Sequence, residues 1–220
     1  MKRLADLRFE RFPISFPAVT KPVWSGKVDR WYQLDAAAYG LAQACFQWCQ
    51  MGSEQPSFMV LASRGASNEA DRAFVESGAD SPAKSVHTLP SVRSSTVCQV
   101  MDWHGPMLCL QENPSTLCVA LVEAVKIVCE DVPVVWVLST WREGSFFSVM
   151  RLIVSHLPSP GAGIQVLEEG REAEISSEAR MVPADRPLLT WLEDSSQHSA
   201  SFALFKGLKL VREPVPCPDG

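Results

Sequence analysis

The apolar positions of the chain fall into short runs typical of strands and longer stretches typical of helices. Residues 33–51 and 114–130 contain many helix-forming residues and are apolar on nearly every side, which predicts two buried helices. Short apolar runs at 57–63 and 106–111 predict strands, and the run at 133–140 predicts a buried strand. Strands that alternate with such helices predict an α/β fold, with a mixed sheet covered by helices on both faces.

The remaining segments have weaker patterns. Segment 7–19 is extended, and its Pro13 and Pro17 predict an edge strand or an irregular arm, because proline cannot donate to a sheet ladder. We expect one domain over 1–220, in which 145–220 either completes the sheet or forms a separate interface lobe. The other predicted elements are helices at 67–77, 90–103 and 187–193 and strands at 147–156, 164–168 and 201–212.

Composition and charge exclude several classes of protein. Of the 220 residues, 46% are hydrophobic and 20% are charged, so the chain is not intrinsically disordered. The net charge of −5 and the lack of a basic block argue against a nucleic-acid partner. No apolar run is long enough to span a membrane. The N-terminal residues lack the apolar core of a signal peptide, so we expect a cytoplasmic protein.

The cysteines predict no metal site and no disulfide framework. There are seven, an odd number, and none forms a CxxC pair. Cys45 and Cys49 are four residues apart in a helical pattern, which is not a zinc signature by itself. We therefore expect reduced thiols in the core of a cytoplasmic protein, with no metal and no cofactor.

Familiar catalytic motifs are absent. The sequence contains no phosphate loop, no dinucleotide-binding glycine pattern, no hydrolase nucleophile elbow and no zinc-protease motif. A cysteine and a histidine could still meet in space, and Cys109 with His87 or His104 is the pair to consider. The seven tryptophans fit core packing or a protein interface.

One stretch has an informative order of elements. A strand ends in Ser63-Arg64-Gly65, an acidic helix follows, and Ser81-Pro82 and Ser85-Val86-His87 come next. A second helix precedes Gly105-Pro106, which opens a strand, a sharp turn and an apolar helix. This succession resembles the N-terminal half of a β-ketoacyl synthase. Over about residues 20–145 it is most similar to the short chain length factors of aryl polyene-type polyketide pathways.

The resemblance implies a thiolase-like (ketosynthase) fold, truncated to about half, without a catalytic residue. In active ketosynthases the nucleophilic cysteine stands eight residues beyond the proline of Gly-Pro, on a strained turn before a buried helix. Here that position is Pro114, and neither Cys109 nor Cys118 replaces it by a simple slip. Asn113 is a favoured N-cap and Pro114 suits a first helical position, so this elbow is predicted to be an ordinary helix start.

The resemblance also implies a partner. The chain would form a heterodimer with a full-length β-ketoacyl synthase, with the strand at 106–111 pairing across the dimer axis, and would meet acyl carrier protein only indirectly. The two all-apolar helices would then be covered by that partner. The candidate tunnel and interface residues are Met107, Cys109, Gln111, Asn113, Pro114, Ser115 and Cys118.

Two other functions stay open from the sequence. One is an independent Cys/His acyltransferase or hydrolase. The other is a scaffold that docks a carrier protein and touches no substrate. Both belong to classes different from a chain length factor, which acts by the shape of a tunnel.

Overall fold

The described residues form one mixed sheet between two layers of helices. The computed structural model describes residues 2–15, 20–63, 72, 74–78, 91–111, 115–143, 146–156, 163–168, 184–194, 201–204 and 207–212. Residues 72 and 74–76 are helical. The strands are β1 (Lys2–Ile14), β2 (Phe58–Ala62), β3 (Met107–Leu110), β4 (Val134–Glu143), β5 (Phe146–Ser155), β6 (Ile164–Glu168), β7 (Ser201–Ala203) and β8 (Leu208–Arg212). The longer helices are α1 (Ala36–Gln50), α2 (Ser91–Met101), α3 (Thr116–Ile127) and α4 (Asp185–Glu193).

The sheet is parallel at one end and antiparallel through the rest. Its strand order is β3-β2-β4-β5-β1-β6-β8-β7. β2 runs parallel to both β3 and β4, and all other neighbours are antiparallel. Among the described strands, β3 and β7 are therefore the two edges. The strands that follow residue 145 continue the same sheet.

Each face of the sheet packs against its own helices. Along β4, Val135 and Val137 contact the core shared with α3 and α4, whereas Trp136 and Leu138 contact the core shared with α1. This alternation follows from the period of two along a strand. The predicted covering of the sheet on both faces is confirmed. None of the helices in the described ranges is long and apolar enough to cross a membrane.

The N-terminal strand is not at an edge, so the position predicted for segment 7–19 is wrong. β1 lies between β5 and β6 in the interior of the sheet. β6 pairs with β1 only from Lys2 to Leu7, whereas β5 pairs with it as far as Ile14. Pro13 lies opposite Ser148 of β5, beyond the reach of β6. Its missing N–H therefore removes no bond on the side of β6.

The C-terminal segment 201–212 is also not the single strand that its pattern predicted. It forms β7 and β8, an antiparallel pair at the edge of the sheet. Gly207 has a positive φ of 73°, a conformation that glycine adopts without strain, just before β8 begins. The Leu204 N–H donates to the carbonyl of Leu208 at 2.8 Å and closes this turn.

The two apolar helices do not need a partner for cover, contrary to expectation. Most side chains of α1 and α3 are buried within the chain itself. Trp24 and Val28 of the preceding segment and Val100 of α2 cover the outer side of α1. Helix α4 packs beside α3 on the other face. An all-round apolar pattern shows that a helix is buried, but it does not show by what.

The six cysteines in the described ranges are free, but most of them are not fully buried. Cys45, Cys49, Cys98, Cys109, Cys118 and Cys129 form no disulfide. Of these six, Cys45 and Cys118 are buried, whereas Cys109 and Cys129 are exposed. The expected burial of the thiols is therefore wrong for Cys109, which lies on the edge strand β3.

A buried arginine joins α1 to three central strands. Arg151 of β5 has a side chain that is 1% exposed, and its guanidinium lies 4.3 Å from the ring centres of both Trp48 and Trp136. It forms an ion pair with Glu10 of β1 and donates to Ser53 Oγ at 3.1 Å. Burial lowers the pKa of Arg151, and its hydrogen bond to Glu10 opposes that shift. The ion pair and the two rings offset part of the desolvation of the charge, while Nε and Nη1 of Arg151 have no hydrogen-bond partner among the described residues.

We expect Glu10→Ala to destabilise the chain more than a matched change elsewhere. Removal of one partner leaves a buried guanidinium uncompensated, which costs about 2–3 kcal/mol here, because Glu10 is itself partly exposed. Glu123→Ala is the control: Glu123 is also 30% exposed, but its partner Lys126 is 48% exposed. That variant should lose about 0.5 kcal/mol or less. The measurement is the free energy of unfolding in urea, and equal losses in the two variants would contradict the role of Arg151.

Candidate functional site

Buried polar side chains gather at the carboxyl ends of the parallel strands. Ser63 follows β2, Ser139 lies on β4 beside the end of β2, and Ser115 precedes α3. Arg93 of α2 and Asp185 of α4 complete the group, and all five are less than 9% exposed. The carboxyl ends of parallel strands are where α/β folds place their ligand sites. The carboxyl ends of the parallel strands are therefore the candidate site.

Arg93 is hydrogen-bonded to two neighbours within the chain. Its Nη1 donates to Ser63 Oγ at 2.6 Å, and its Nη2 donates to Asp35 Oδ2 at 3.1 Å. The other oxygen of Asp35 accepts the N–H of Ala38 at 2.7 Å and thereby caps α1. One guanidinium thus joins the start of α1, the start of α2 and the end of β2.

The N-terminus of α3 is capped from a distant part of the chain. Asp185 Oδ1 accepts the N–H groups of Leu117 and Cys118 at 2.9 and 3.1 Å. The prediction of Asn113 as N-cap, with Pro114 as the first helical residue, is wrong, because the helix begins at Thr116 and Ser115 holds the N-cap position. Asn113 and Pro114 themselves lie outside the described residues. Sequence reasoning missed Asp185, since a residue so remote gives no local capping signal.

Cys118 is placed where a thiol cannot act as a nucleophile. It is fully buried on the first turn of α3, and its Sγ lies 3.9 Å from the carbonyl oxygen of Ala184. Burial raises the pKa of Cys118 to about 12, and the charge of Asp185 and a hydrogen bond to it act in the same direction. Because the thiolate is the reactive form, this thiol is inert near neutral pH.

Met107 and Cys109 share an edge of the sheet. Among the described strands, β3 pairs with β2 alone. The carbonyls of Pro106 and Leu110 accept N–H groups of β2, so the backbone groups of Met107 and Cys109 point to the open side. The Met107 side chain packs on the α1 face of the sheet. Cys109, two residues on, is exposed on that same face.

Of the other candidate residues in the described ranges, Gln111 continues this edge, whereas Ser115 and Cys118 do not. Gln111 is exposed just after β3, and Ser115 is buried before α3. Cys118 packs in the core on the opposite face of the sheet. The predicted set therefore divides into an exposed edge, Met107 to Gln111, and a buried helix start, Ser115 and Cys118.

The structure gives no support to a Cys109–His104 dyad. His87 lies outside the described residues. The side chain of His104 is 87% exposed, and its Nε2 lies 3.3 Å from Asp102 Oδ1. Among the described residues no hydrogen bond joins it to Cys109. An open cleft of about 700 Å³ contains His104 but not Cys109; it is lined by Lys27, Ser95, Cys98, Gln99, Asp102, Trp103 and His104.

The thiol within that cleft is also unactivated, and no metal centre is present nearby. Burial raises the pKa of Cys98, and the nearby Cys109 adds to the shift. In the part of the chain that the structure describes, no three His, Cys, Asp or Glu side chains are grouped to hold a metal ion.

Arg93→Lys tests whether the candidate site needs a planar guanidinium that hydrogen-bonds to two residues at once. Lysine cannot reproduce the two diverging hydrogen bonds, so we expect a loss of about 1–2 kcal/mol in the free energy of unfolding. Arg186→Lys is the control, because Arg186 is 75% exposed and pairs with an exposed Glu143. It should change stability by less than about 0.5 kcal/mol. Similar urea midpoints for both variants would contradict the network.

Comparisons with known proteins bear on the fold. No family model matches the sequence, and no curated protein matches it significantly. The chain is similar to a chain in the solved structure of the ketosynthase ApeO in complex with its chain length factor ApeC from Xenorhabdus doucetiae. That match has a TM-score of 0.62 and 11% identity, and it covers 96% of this chain and 100% of the other.

A second solved structure is more distant. It is the oxazolomycin ketosynthase domain OzmH KS8 of Streptomyces albus JA3453, with a TM-score of 0.40 and 16% identity. The match covers 76% of this chain and 48% of that domain, so the chain spans about half of its length. The similarity to the ApeO–ApeC structure confirms the fold predicted from the order of elements: the chain has a ketosynthase-like, thiolase-like fold.

Proposed function

We propose that the chain is a non-catalytic chain length factor. It pairs with an active β-ketoacyl synthase in the cytoplasm and shapes the acyl tunnel of that enzyme during polyene, polyketide or fatty-acid-type biosynthesis. Its contact with acyl carrier protein is indirect, and it needs no cofactor. The observation that carries the proposal is the similarity to the whole length of a chain from a complex of a ketosynthase with its chain length factor.

The described thiols near the candidate site support a non-catalytic role. Cys118 is held as a buried thiol by its surroundings. Cys109 lies within an edge strand and has no imidazole partner among the described residues. The resemblance places Pro114 where the nucleophile of an active ketosynthase would be, and proline has no side-chain atom that can form an acyl thioester.

The open edge of β3 supports pairing with another chain. Unpaired N–H and C=O groups along an edge strand are a template for a strand from elsewhere. Residues 107–111 carry no charge, and charged residues are depleted at the centres of protein interfaces. We propose that the ketosynthase adds its own strand at this edge. Such pairing would also bring Met107 and Cys109 to the boundary between the two subunits.

This position suits a residue that limits chain length by its volume. A tunnel that ends against a side chain discriminates acyl lengths by contact, and one methylene is worth about 1–3 kcal/mol. Met107 is half-buried and Cys109 is exposed on the same face, so larger side chains there would extend into the proposed boundary.

Cys109→Pro should prevent assembly with the ketosynthase. The Cys109 N–H points away from β2, so proline at this position removes an edge donor and keeps the bonds to β2. Cys109→Val is the matched control, because valine also replaces the thiol but keeps the N–H. In co-expression with the ketosynthase of the same gene cluster, the tagged valine variant should recover a 1:1 complex.

Purification of the tagged Cys109→Pro variant should yield this chain alone, without the ketosynthase. Its circular dichroism spectrum and urea midpoint should stay near those of the valine variant, which shows that the sheet is intact. A 1:1 complex with the proline variant would rule out strand pairing at this edge.

Met107→Trp and Cys109→Trp should each shorten the products of the complex. Added volume at the proposed tunnel end leaves room for fewer carbons. Cys129→Trp is the control, since Cys129 is also exposed but lies after α3, away from β3. Products of purified 1:1 complexes are measured by mass spectrometry. An unchanged length distribution for both variants at β3 would contradict the tunnel role.

A further inference from the structure

Asp185 holds the first turn of α3 in an unusual way. The N–H groups of the second and third helical residues normally bond to the side chain of the N-cap residue. Here Ser115 makes no such bond, and the carboxylate of Asp185 accepts both N–H groups instead. Asp185 is 2% exposed, so solvent does not compete for these bonds.

We infer that Asp185 is an internal anionic ligand that silences Cys118 and closes the start of α3 to any other anion. The inference deepens the proposed non-catalytic role and rests on it for its biological meaning. The residues involved are Asp185, Cys118 and the backbone between Ser115 and Cys118.

The first turn of a helix would otherwise favour a reactive thiol. Unsatisfied N–H groups and the helix dipole stabilise negative charge there, which promotes the thiolate of a cysteine at a helix N-terminus. Cys118 is the third residue of α3, and its own N–H is one of the two donors. Asp185 is the acceptor that the structure gives to both N–H groups, and its replacement by alanine would remove that acceptor from both.

Asp185 reverses that effect in two ways. Its carboxylate uses both donors, so they cannot stabilise a thiolate or the oxyanion of a bound acyl group. Its negative charge also disfavours a second anion beside it: burial raises the pKa of Cys118 most, and the charge of Asp185 and a hydrogen bond to it raise it further. The carbonyl of Ala184 adds a further acceptor near the sulfur.

The test compares two alkylating reagents of similar size and different charge. Iodoacetate is an anion and iodoacetamide is neutral; with each, the thiolate sulfur forms a bond to carbon and iodide leaves. The full-length chain is labelled as wild type and as Asp185→Ala, and labelling of Cys118 is followed by peptide mass spectrometry. Asp131→Ala is the control for loss of an acidic residue, because Asp131 is exposed in the turn after α3.

In Asp185→Ala, both reagents should label Cys118 faster than in wild type, and iodoacetate should gain about tenfold more than iodoacetamide. The free N–H groups attract the carboxylate of the reagent, whereas a general loosening of the structure would accelerate both reagents equally. Asp131→Ala should match wild type. Cys45, which is buried on the other face of the sheet, should stay unlabelled in every variant and so report that the fold is intact.

Asp185→Asn provides a second measurement that does not depend on an opened cavity. The amide keeps an oxygen acceptor but removes the charge, so the pKa of Cys118 should fall. The S–H stretching band of Cys118, identified in the infrared spectrum by its loss in Cys118→Ser, should therefore disappear at a lower pH than in wild type. Equal gains for both reagents in Asp185→Ala, or an unchanged pH profile in Asp185→Asn, would overturn the inference. Neither result would affect pairing at β3, which Cys109→Pro tests separately.

Discussion

The α1 face of the sheet depends on one buried charge. Arg151 stands at the centre of β5 and touches α1 through Trp48, β4 through Trp136 and β1 through Glu10. A guanidinium this deeply buried is tolerated only with an opposite charge and polarisable surfaces around it. The position of α1 and the register of β1 against β5 are therefore coupled, because Glu10 lies directly opposite Arg151 in that register. A shift by one residue would turn Glu10 to the other face and leave the guanidinium unpaired.

This central arrangement fixes what lies at the parallel end of the sheet. With α1 held on β4 and β5, its N-cap Asp35 reaches Arg93, and Arg93 in turn reaches the end of β2. β3 then lies outside β2 as the last strand. The edge that we propose for the ketosynthase is thus held on its inner side by β2, whose end is bonded to Arg93 through Ser63.

The pattern of apolar residues predicted the elements whose formation depends on neighbouring residues in the sequence. The apolar periodicity of α1 and α3 and the short runs at β2 and β4 gave the correct elements, because burial of one face imposes a period on the sequence. The interior position of β1 depends on pairing with β5 and β6, more than a hundred residues later, and nothing within segment 7–19 encodes it. Pro13 led to the wrong prediction of an edge strand for the same reason. Because β6 is short, it pairs only with the first part of β1 and leaves the part around Pro13 without a partner on that side.

The candidate site divides in the same way. The apolar run at 106–111 predicted a strand, and the structure has β3 there. The choice of Met107 and Cys109 as tunnel residues came from the resemblance and stays a prediction. The capping of α3 did not, because local preference favoured Asn113, whereas a carboxylate from α4 satisfies the helix. Capping rules consider only residues that are adjacent in sequence to the helix start. The N–H groups of a buried helix start can instead bond to an acceptor that is distant in sequence but close in space.

At the carboxyl ends of the parallel strands, catalysis needs polar groups that are available to a substrate, whereas stability favours polar groups that are already hydrogen-bonded within the chain. A reactive site keeps donors and nucleophiles without partners until substrate arrives, and the protein pays for that strain elsewhere. In the described part of this chain, Arg93 and the start of α3 instead receive their acceptors from Asp35, Ser63 and Asp185. These groups are therefore satisfied by the chain itself. Among the described strands, the backbone of β3 that faces away from β2 has no partner, which is the feature that the proposed pairing with a ketosynthase would use.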